Sequence, residues 1–189
     1  MILGITGGTG CGKTTLLKEI AARGGLVLDC DAVYHALLTR DMELLNAIEA
    51  RVPGVVVAGE LQRKKLGAIV FSDEKALADL NAITHGAIKA EVVRRLADAP
   101  ALAAIDAIAL FEGGLADLCD TTVAVTAPRE ARVERLMKRD NISRDYAEKR
   151  IDAQKSESYF RANCAHVLVN DGTAEEFCAK CAAFLNDIL

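Results

Sequence analysis

Residues 7 to 14 read Gly7-Gly8-Thr9-Gly10-Cys11-Gly12-Lys13-Thr14, directly after the apolar run Ile2-Leu3-Gly4-Ile5. The stretch fills the pattern G-x-x-x-x-G-K-[ST] behind a strand, which is the signature of a phosphate-binding loop. Gly7, Gly8, Gly10 and Gly12 can take backbone angles closed to other residues, so successive N–H groups can turn inward on phosphate oxygens. Lys13 suits the β- and γ-phosphates of a nucleoside triphosphate, and the Thr14 hydroxyl suits Mg²⁺. A helix from Thr14 to Arg23, ended by Gly24-Gly25, aims its positive dipole end at the same place. The candidate nucleotide-binding residues are therefore Gly8, Thr9, Gly10, Cys11, Gly12, Lys13, Thr14 and Thr15, with Thr14 the metal ligand. Cys11, beside Lys13 and a helix N-terminus, is expected to carry a lowered thiolate pKa.

Working outward, Leu26-Val27-Leu28 reads as a buried parallel strand and completes a βαβ unit. Asp29-Cys30-Asp31 follows it. If the chain is extended there, both carboxylates project to one side, into the crevice beyond the strand ends where ligands of open α/β sheets lie. A carboxylate so placed can orient an acceptor hydroxyl and take its proton; the competing reading is that one aspartate caps the next helix. A helix is expected from about Ala32 to Ile48, then a Val-rich loop or short extended piece punctuated by Pro53-Gly54 and Gly59. Helical periodicity runs from Gln62 to Leu96, with breaks expected near Ser72-Asp73 and again at Thr84-His85-Gly86. Ala103 to Phe111 reads as one central strand, and Thr121-Val125 and His166-Val169 as two more. Between those two lies a charged helical segment, Arg129 to about Ala162, and a last helix follows Gly172. Such alternation implies an α/β fold, three layers with a parallel sheet covered on both faces.

The 189 residues suffice for one domain with an insertion, and half of them are hydrophobic without a run long enough to span a bilayer. The first strand starts at Ile2, so no export signal and a cytoplasmic protein are expected. A net charge of −4 argues against nucleic acid as partner. Six scattered cysteines then read as reduced thiols. Cys164-x-His166 with Cys178-x-x-Cys181 offers four zinc-ligating side chains, although the last two sit three apart on a helical pattern where small residues face a core. Between Arg129 and Arg161, ten Lys or Arg face seven Asp or Glu, a local surplus of +3 that leaves −7 elsewhere. Guanidinium forks bind phosphate oxygens, so this segment has the composition of a lid over a triphosphate; a solvated face laced with i,i+4 ion pairs is the competing reading.

With these motifs in place, nearly the whole chain resembles the dephospho-coenzyme A kinase family. Thr6 to Thr14 is similar to that family's T-G-G-x-G-x-G-K-[ST], and Asp29-Cys30-Asp31 to its D-A-D. Leu61-Gln62-Arg63-Lys64-Lys65-Leu66 with Val70-Phe71 resembles L-D-R-x-x-L and V-F, and Leu80-Asn81 with Thr84-His85 resembles L-N-x-x-x-H-P. Asp106 to Glu112 resembles D-x-P-L-L-F-E. Arg135 to Asp140, Arg150 to Gln154, and Asn170-Asp171-Gly172 resemble R-L-x-x-R-D, R-x-x-x-Q and N-x-G. The resemblance implies a phosphate-loop kinase that transfers the γ-phosphate of ATP, with Mg²⁺, to the ribose 3′-hydroxyl of dephospho-coenzyme A. It implies Asp31 as general base, Asp29 beside it, Lys13 and Arg139 on the phosphates, Arg63 and His85 on the acceptor side, and Asn170 and Gly172 beside adenine. It also implies a nucleotide core (1–39 and 97–189), a helical acceptor-binding insertion (about 40–96) and a lid (about 129–161). A monomer or small homo-oligomer is expected, with neither membrane nor nucleic acid as partner. Gln62, Gly86, Ile108 and His166 depart from the family pattern, and none of them removes a phosphate-loop or D-x-D group.

Two other readings compete. Shikimate kinase-like enzymes also join a phosphate loop to D-x-D, but the later motifs favour the first family. A nucleotide-binding module without turnover would leave Asp31 and the arginine-rich segment without a task. A guanine-specific switch would be expected to carry N-K-x-D, and Asn170-Asp171-Gly172 lacks the lysine.

Overall fold

The computed structural model describes residues 1–189. In chain order the elements are β1 (Ile2–Thr6), α1 (Lys13–Ala22), β2 (Leu26–Asp29), α2 (Cys30–Arg40), α3 (Met42–Arg51), β3 (Val56–Val57), β4 (Glu60–Leu61), α4 (Arg63–Val70) and α5 (Glu74–Leu96). They continue with β5 (Ala103–Asp106), β6 (Thr121–Thr126), α6 (Arg129–Asp140), α7 (Arg144–Asp152), α8 (Glu157–Asn163), β7 (His166–Val169) and α9 (Ala174–Ile188). The chain forms two compact units, residues 1–28 with 99–189, and residues 29–98.

The first unit is built on a five-stranded parallel sheet in the order β2-β5-β1-β6-β7, so the first strand is central and the loop that follows it leaves from mid-sheet. β1 pairs in parallel with β5 and β6 on either side, and Ile5 lies opposite Asp106 and Val123. Central parallel strands are buried on both faces, which is why these read as continuous apolar runs. Leu3, Ile5, Ala104, Val123 and Val125 pack with Leu16 and Ile20 of α1 and with Phe177, Cys181 and Leu185 of α9. The capping box of α9, Thr173 with Glu176, sets its first turn. Val133, Leu136, Ala147 and Ile151 form a separate small core that holds α6 against α7.

The expected strand from Ala103 to Phe111 is shorter than the apolar run suggests. It ends at Asp106, because its ladder partner β1 ends at Thr6; beyond that point the chain turns, with Gly113 N–H on the Ala109 carbonyl and Leu115 N–H on that of Leu110. The charged segment after β6 forms three helices, two of them capped by Ser143 and Ser156.

The second unit is helical apart from a β3–β4 hairpin, whose antiparallel pairing sets Val56 opposite Leu61. The helix expected over Ala32–Ile48 is two helices. Asp41 ends α2 and accepts from Leu44 N–H at 2.9 Å to start α3. The break expected at Thr84-His85-Gly86 does not occur: α5 runs 23 residues through it. Thr84 is accommodated by donating its hydroxyl to the Leu80 carbonyl at 2.9 Å, and a Cβ at Gly86 would meet open space. The break near Ser72-Asp73 is real, with Asp73 capping α5 through Ala76 N–H. α5 packs against α2, α3 and α4, burying Leu37, Leu45, Ile48, Leu66, Val70 and Leu80.

No helix is long and apolar enough to cross a membrane. All six cysteines are free thiols, and no three His, Cys, Asp or Glu side chains are gathered as metal ligands; Cys181 is a core residue of α9, whereas Cys178 is exposed.

Candidate active site

The loop between β1 and α1 is held by its own helix and by three later elements. Gly12 is the N-cap of α1 in a left-handed conformation (φ 101°) that glycine tolerates, and there is no side-chain cap. The first-turn N–H groups of α1 thus have no side-chain acceptor, as an anion site requires. Lys13 curls back over the loop, donating to the Gly7 carbonyl at 3.1 Å and lying 3.8 Å from Asp106 Oδ1 at the end of β5. Both side chains are largely buried (14% and 18% exposed), so the pair is weakly screened. Thr14 is exposed and Thr15 half-buried in the first turn.

Asp106 carries no role in the sequence reading, yet it is the carboxylate nearest Lys13. An apolar strand ending in aspartate beside the loop strand was the available signal. Parallel pairing of Ile5 with Asp106 is what brings it there.

Asn170, at the end of β7, is buried. Its Nδ2 donates to the Cys11 carbonyl at 2.9 Å, and its Oδ1 accepts from Arg135 at 3.2 Å. Its side chain is thus fastened to the loop, while Gly172 lies exposed just before α9. From α6, Arg132 donates through Nε to the Thr9 carbonyl at 2.9 Å and Arg135 donates to the Gly10 carbonyl at 3.2 Å. Gln154, in the turn after α7, accepts from Thr9 N–H at 2.8 Å. Arg139 lies one turn further along α6, exposed, with both guanidinium arms on Asp140 at 2.7 and 3.0 Å. Asp140 also accepts from Arg150 at 2.5 Å; Arg139 first and Arg150 second hold its carboxyl well below the usual range.

Cys11 corrects the expectation of an activated thiol. It is only 1% exposed, and burial pushes its pKa up despite the opposing charges of Lys13 and Arg132. The loop cysteine is a packing residue in the sheet core.

In the second unit, Asp29 is the N-cap of α2, its Oδ1 accepting from Asp31 N–H at 2.9 Å and Ala32 N–H at 3.0 Å. The extended geometry invoked to project both carboxylates to one side is therefore absent: Asp29 caps, and Asp31 is an exposed residue of the first helical turn, where the macrodipole favours its negative charge. Arg63 is exposed at the start of α4 and near enough to Tyr34 to oppose the rise that burial imposes on the phenol pKa. His85 is half-buried midway along α5.

A central strand, a glycine turn, Lys-Thr at a helix start and a carboxylate on the neighbouring strand end define a phosphate-loop nucleotide-binding α/β protein of the kinase type. The dephospho-CoA kinase family model matches residues 1–176, and this chain belongs to that family. It is 38% identical to a dephospho-CoA kinase of Anaeromyxobacter dehalogenans, over 99% of this chain and 92% of that one. It also superposes on the crystal structure of TT1252 from Thermus thermophilus with a TM-score of 0.83 and 33% identity, covering 100% and 98% of the two chains. A dephospho-CoA kinase from Campylobacter jejuni shares the fold at a TM-score of 0.69 and 22% identity, covering 99% and 96%.

Proposed function

We propose that this protein is a dephospho-CoA kinase, transferring the γ-phosphoryl group of ATP to the ribose 3′-hydroxyl of dephospho-CoA to give CoA. The observation that carries the reading is the phosphate loop with Lys13 held between the Gly7 carbonyl and Asp106, in a chain of that family. On nucleotide binding, Lys13 exchanges the Gly7 carbonyl for phosphate oxygens, and the first-turn N–H groups of α1 take further ones. The Thr14 hydroxyl and the Asp106 carboxylate are oxygen donors of the kind Mg²⁺ prefers, so the residues present fit that ion. Bound there, it would neutralise phosphate charge.

Asp31 is the residue assigned to the acceptor. Its carboxylate accepts the 3′-hydroxyl proton and aims the oxygen in line with the γ-phosphorus; because the transition state is loose, orientation matters more than basicity. Asp29, committed to capping α2, supports Asp31 by fixing the turn that carries it. Arg63 and His85 serve the acceptor side, the α6–α8 segment closes over ATP with Arg139 reaching its phosphates, and Asn170 and Gly172 border the adenine. Residues 29–98 form the acceptor-binding part. Six free thiols fit a reducing cytoplasmic setting, and a monomer or small homo-oligomer suffices for this chemistry.

The test is ATP- and Mg²⁺-dependent phosphorylation of dephospho-CoA, with the product position assigned by NMR and shikimate assayed in parallel. A 3′-phosphorylated product supports the reading. Turnover of shikimate alone, or of neither acceptor, refutes it.

A further inference from the structure

The apex of the phosphate loop is gripped on both of its backbone groups by side chains from the α6–α8 segment. Arg132 Nε holds the Thr9 carbonyl at 2.9 Å, and Gln154 Oε1 takes the Thr9 N–H at 2.8 Å. The two side chains meet, Arg132 Nη2 lying 3.4 Å from the same Gln154 oxygen. Arg132 is 9% exposed, unusual for an arginine that forms no ion pair with a carboxylate, and burial pulls its pKa down from the ordinary guanidinium value. Room for the guanidinium exists because residue 8 is glycine: a Cβ there would collide with Arg132 Nη2 and come within 2.8 Å of its Cζ. The main chain of Arg132 also approaches Gly10, where a Cβ would stand 2.9 Å from its carbonyl oxygen. Gly10 is therefore required by the main chain of α6, and glycine at position 8 leaves the space that the Arg132 guanidinium occupies.

We infer that Arg132 and Gln154 are positioning residues that preset the phosphate loop for ATP. A trans peptide directs its C=O and N–H to opposite sides, so fixing the Thr9 carbonyl toward α6 fixes the Gly10 N–H away from it. Without the grip, that peptide is free to rotate and nucleotide binding must restore its orientation, which weakens affinity. The same contacts couple the loop to α6 and to the α7–α8 turn, so nucleotide on the loop stabilises that segment and the segment strengthens nucleotide binding by an equal factor.

The inference rests on the loop binding ATP, and its deciding titrations use ATP alone. Calorimetric titration of ATP into Arg132→Met and Gln154→Met should show affinity lower by on the order of 10-fold in each, the scale of one lost hydrogen bond to a charged or constrained group. The double variant should be weaker by less than the product of the two losses, because both act on the backbone of one residue, Thr9, and touch each other. Arg132→Lys should not restore binding, since one ammonium cannot span the Thr9 carbonyl and Gln154 together. Amide exchange at Thr9 should accelerate in Gln154→Met, and KM for dephospho-CoA should stay within twofold. Wild-type ATP affinity in both single variants, a fully multiplicative double variant, or unchanged Thr9 exchange would overturn the inference. Should Arg132→Met fail to fold, the half-exposed Gln154 variant decides alone. No acceptor enters the titration, so a failed acceptor assay removes only the dephospho-CoA reading.

Discussion

Replacing Asn170 with leucine, which keeps the branch at Cγ and removes both polar atoms, tests the fastening of the phosphate loop to β7. The backbone contact of residue 170, its N–H on the Thr126 carbonyl at 2.7 Å, is unaffected, so the strand end stays in register. The side chain loses its donation to Cys11 at 2.9 Å and its acceptance from Arg135 at 3.2 Å. The Cys11 carbonyl then lacks that donor in a buried setting, which costs about 1–3 kcal/mol. Arg135 is half-exposed and recovers most of its loss from water, adding at most about 1 kcal/mol. A total of about 2 kcal/mol lowers the melting temperature of a chain this size by about 4–8 °C. Differential scanning calorimetry of the ligand-free protein reads this directly, and ATP titration at 20 °C should show weaker binding because Cys11 carries the loop toward Gly12 and Lys13. A melting temperature within about 1 °C of wild type, with unchanged ATP affinity, would refute the view that Asn170 anchors the loop.

Asp31→Asn should lower turnover by at least ~100-fold while leaving ATP affinity intact, as measured by steady-state kinetics and calorimetry; near-normal turnover removes it as the base. Glu91 lies among Arg94, Arg95 and Arg40 at 2.8 to 3.0 Å, and Arg94 followed by Arg95 holds its pKa down to about 2 from 4.5. A depressed carboxyl contributes its full stability above about pH 4.5 and loses it as pH falls through about 2. Glu91→Gln should therefore unfold more readily than wild type at pH 6 in urea, with the difference shrinking toward pH 2, and a pH-independent difference would contradict the ion-pair account. Iodoacetamide should alkylate exposed Cys178 readily and buried Cys11 slowly in the native protein, read by peptide mass spectrometry; rapid Cys11 labelling would show that the loop opens or that its thiol is activated.

Short-range features were legible because a few neighbouring residues specify them. The phosphate loop, the buried strands and the Asp73 cap each depend on contacts within a handful of positions. Sequence pattern and structure part where an element's extent depends on a distant partner. Ala103 to Phe111 is apolar throughout, but a strand lasts only as long as the strand beside it, and β1 stops at Thr6. Thr84-His85-Gly86 has helix-breaking composition, yet packing along α5 outweighs a local preference of about 1 kcal/mol. An extended chain would set Asp29 and Asp31 on one side, whereas capping by Asp29 starts the helix between them.

The sequence alone determined that a strand delivers a glycine-rich loop to a lysine and a helix, since adjacent backbone angles and one side chain suffice for that. Tertiary structure alone decided which distant groups complete it. Asp106 reaches Lys13 through parallel strand register, Asn170 reaches Cys11 across 159 positions, and Arg132 and Gln154 take the Thr9 carbonyl and N–H from 123 and 145 positions away. Of the many arginines between 129 and 161, Arg132 and Arg135 touch the loop and Arg139 turns to Asp140. That choice depends on the rotation of α6 about its axis, which the packing of Val133 and Leu136 sets and which charge composition does not encode.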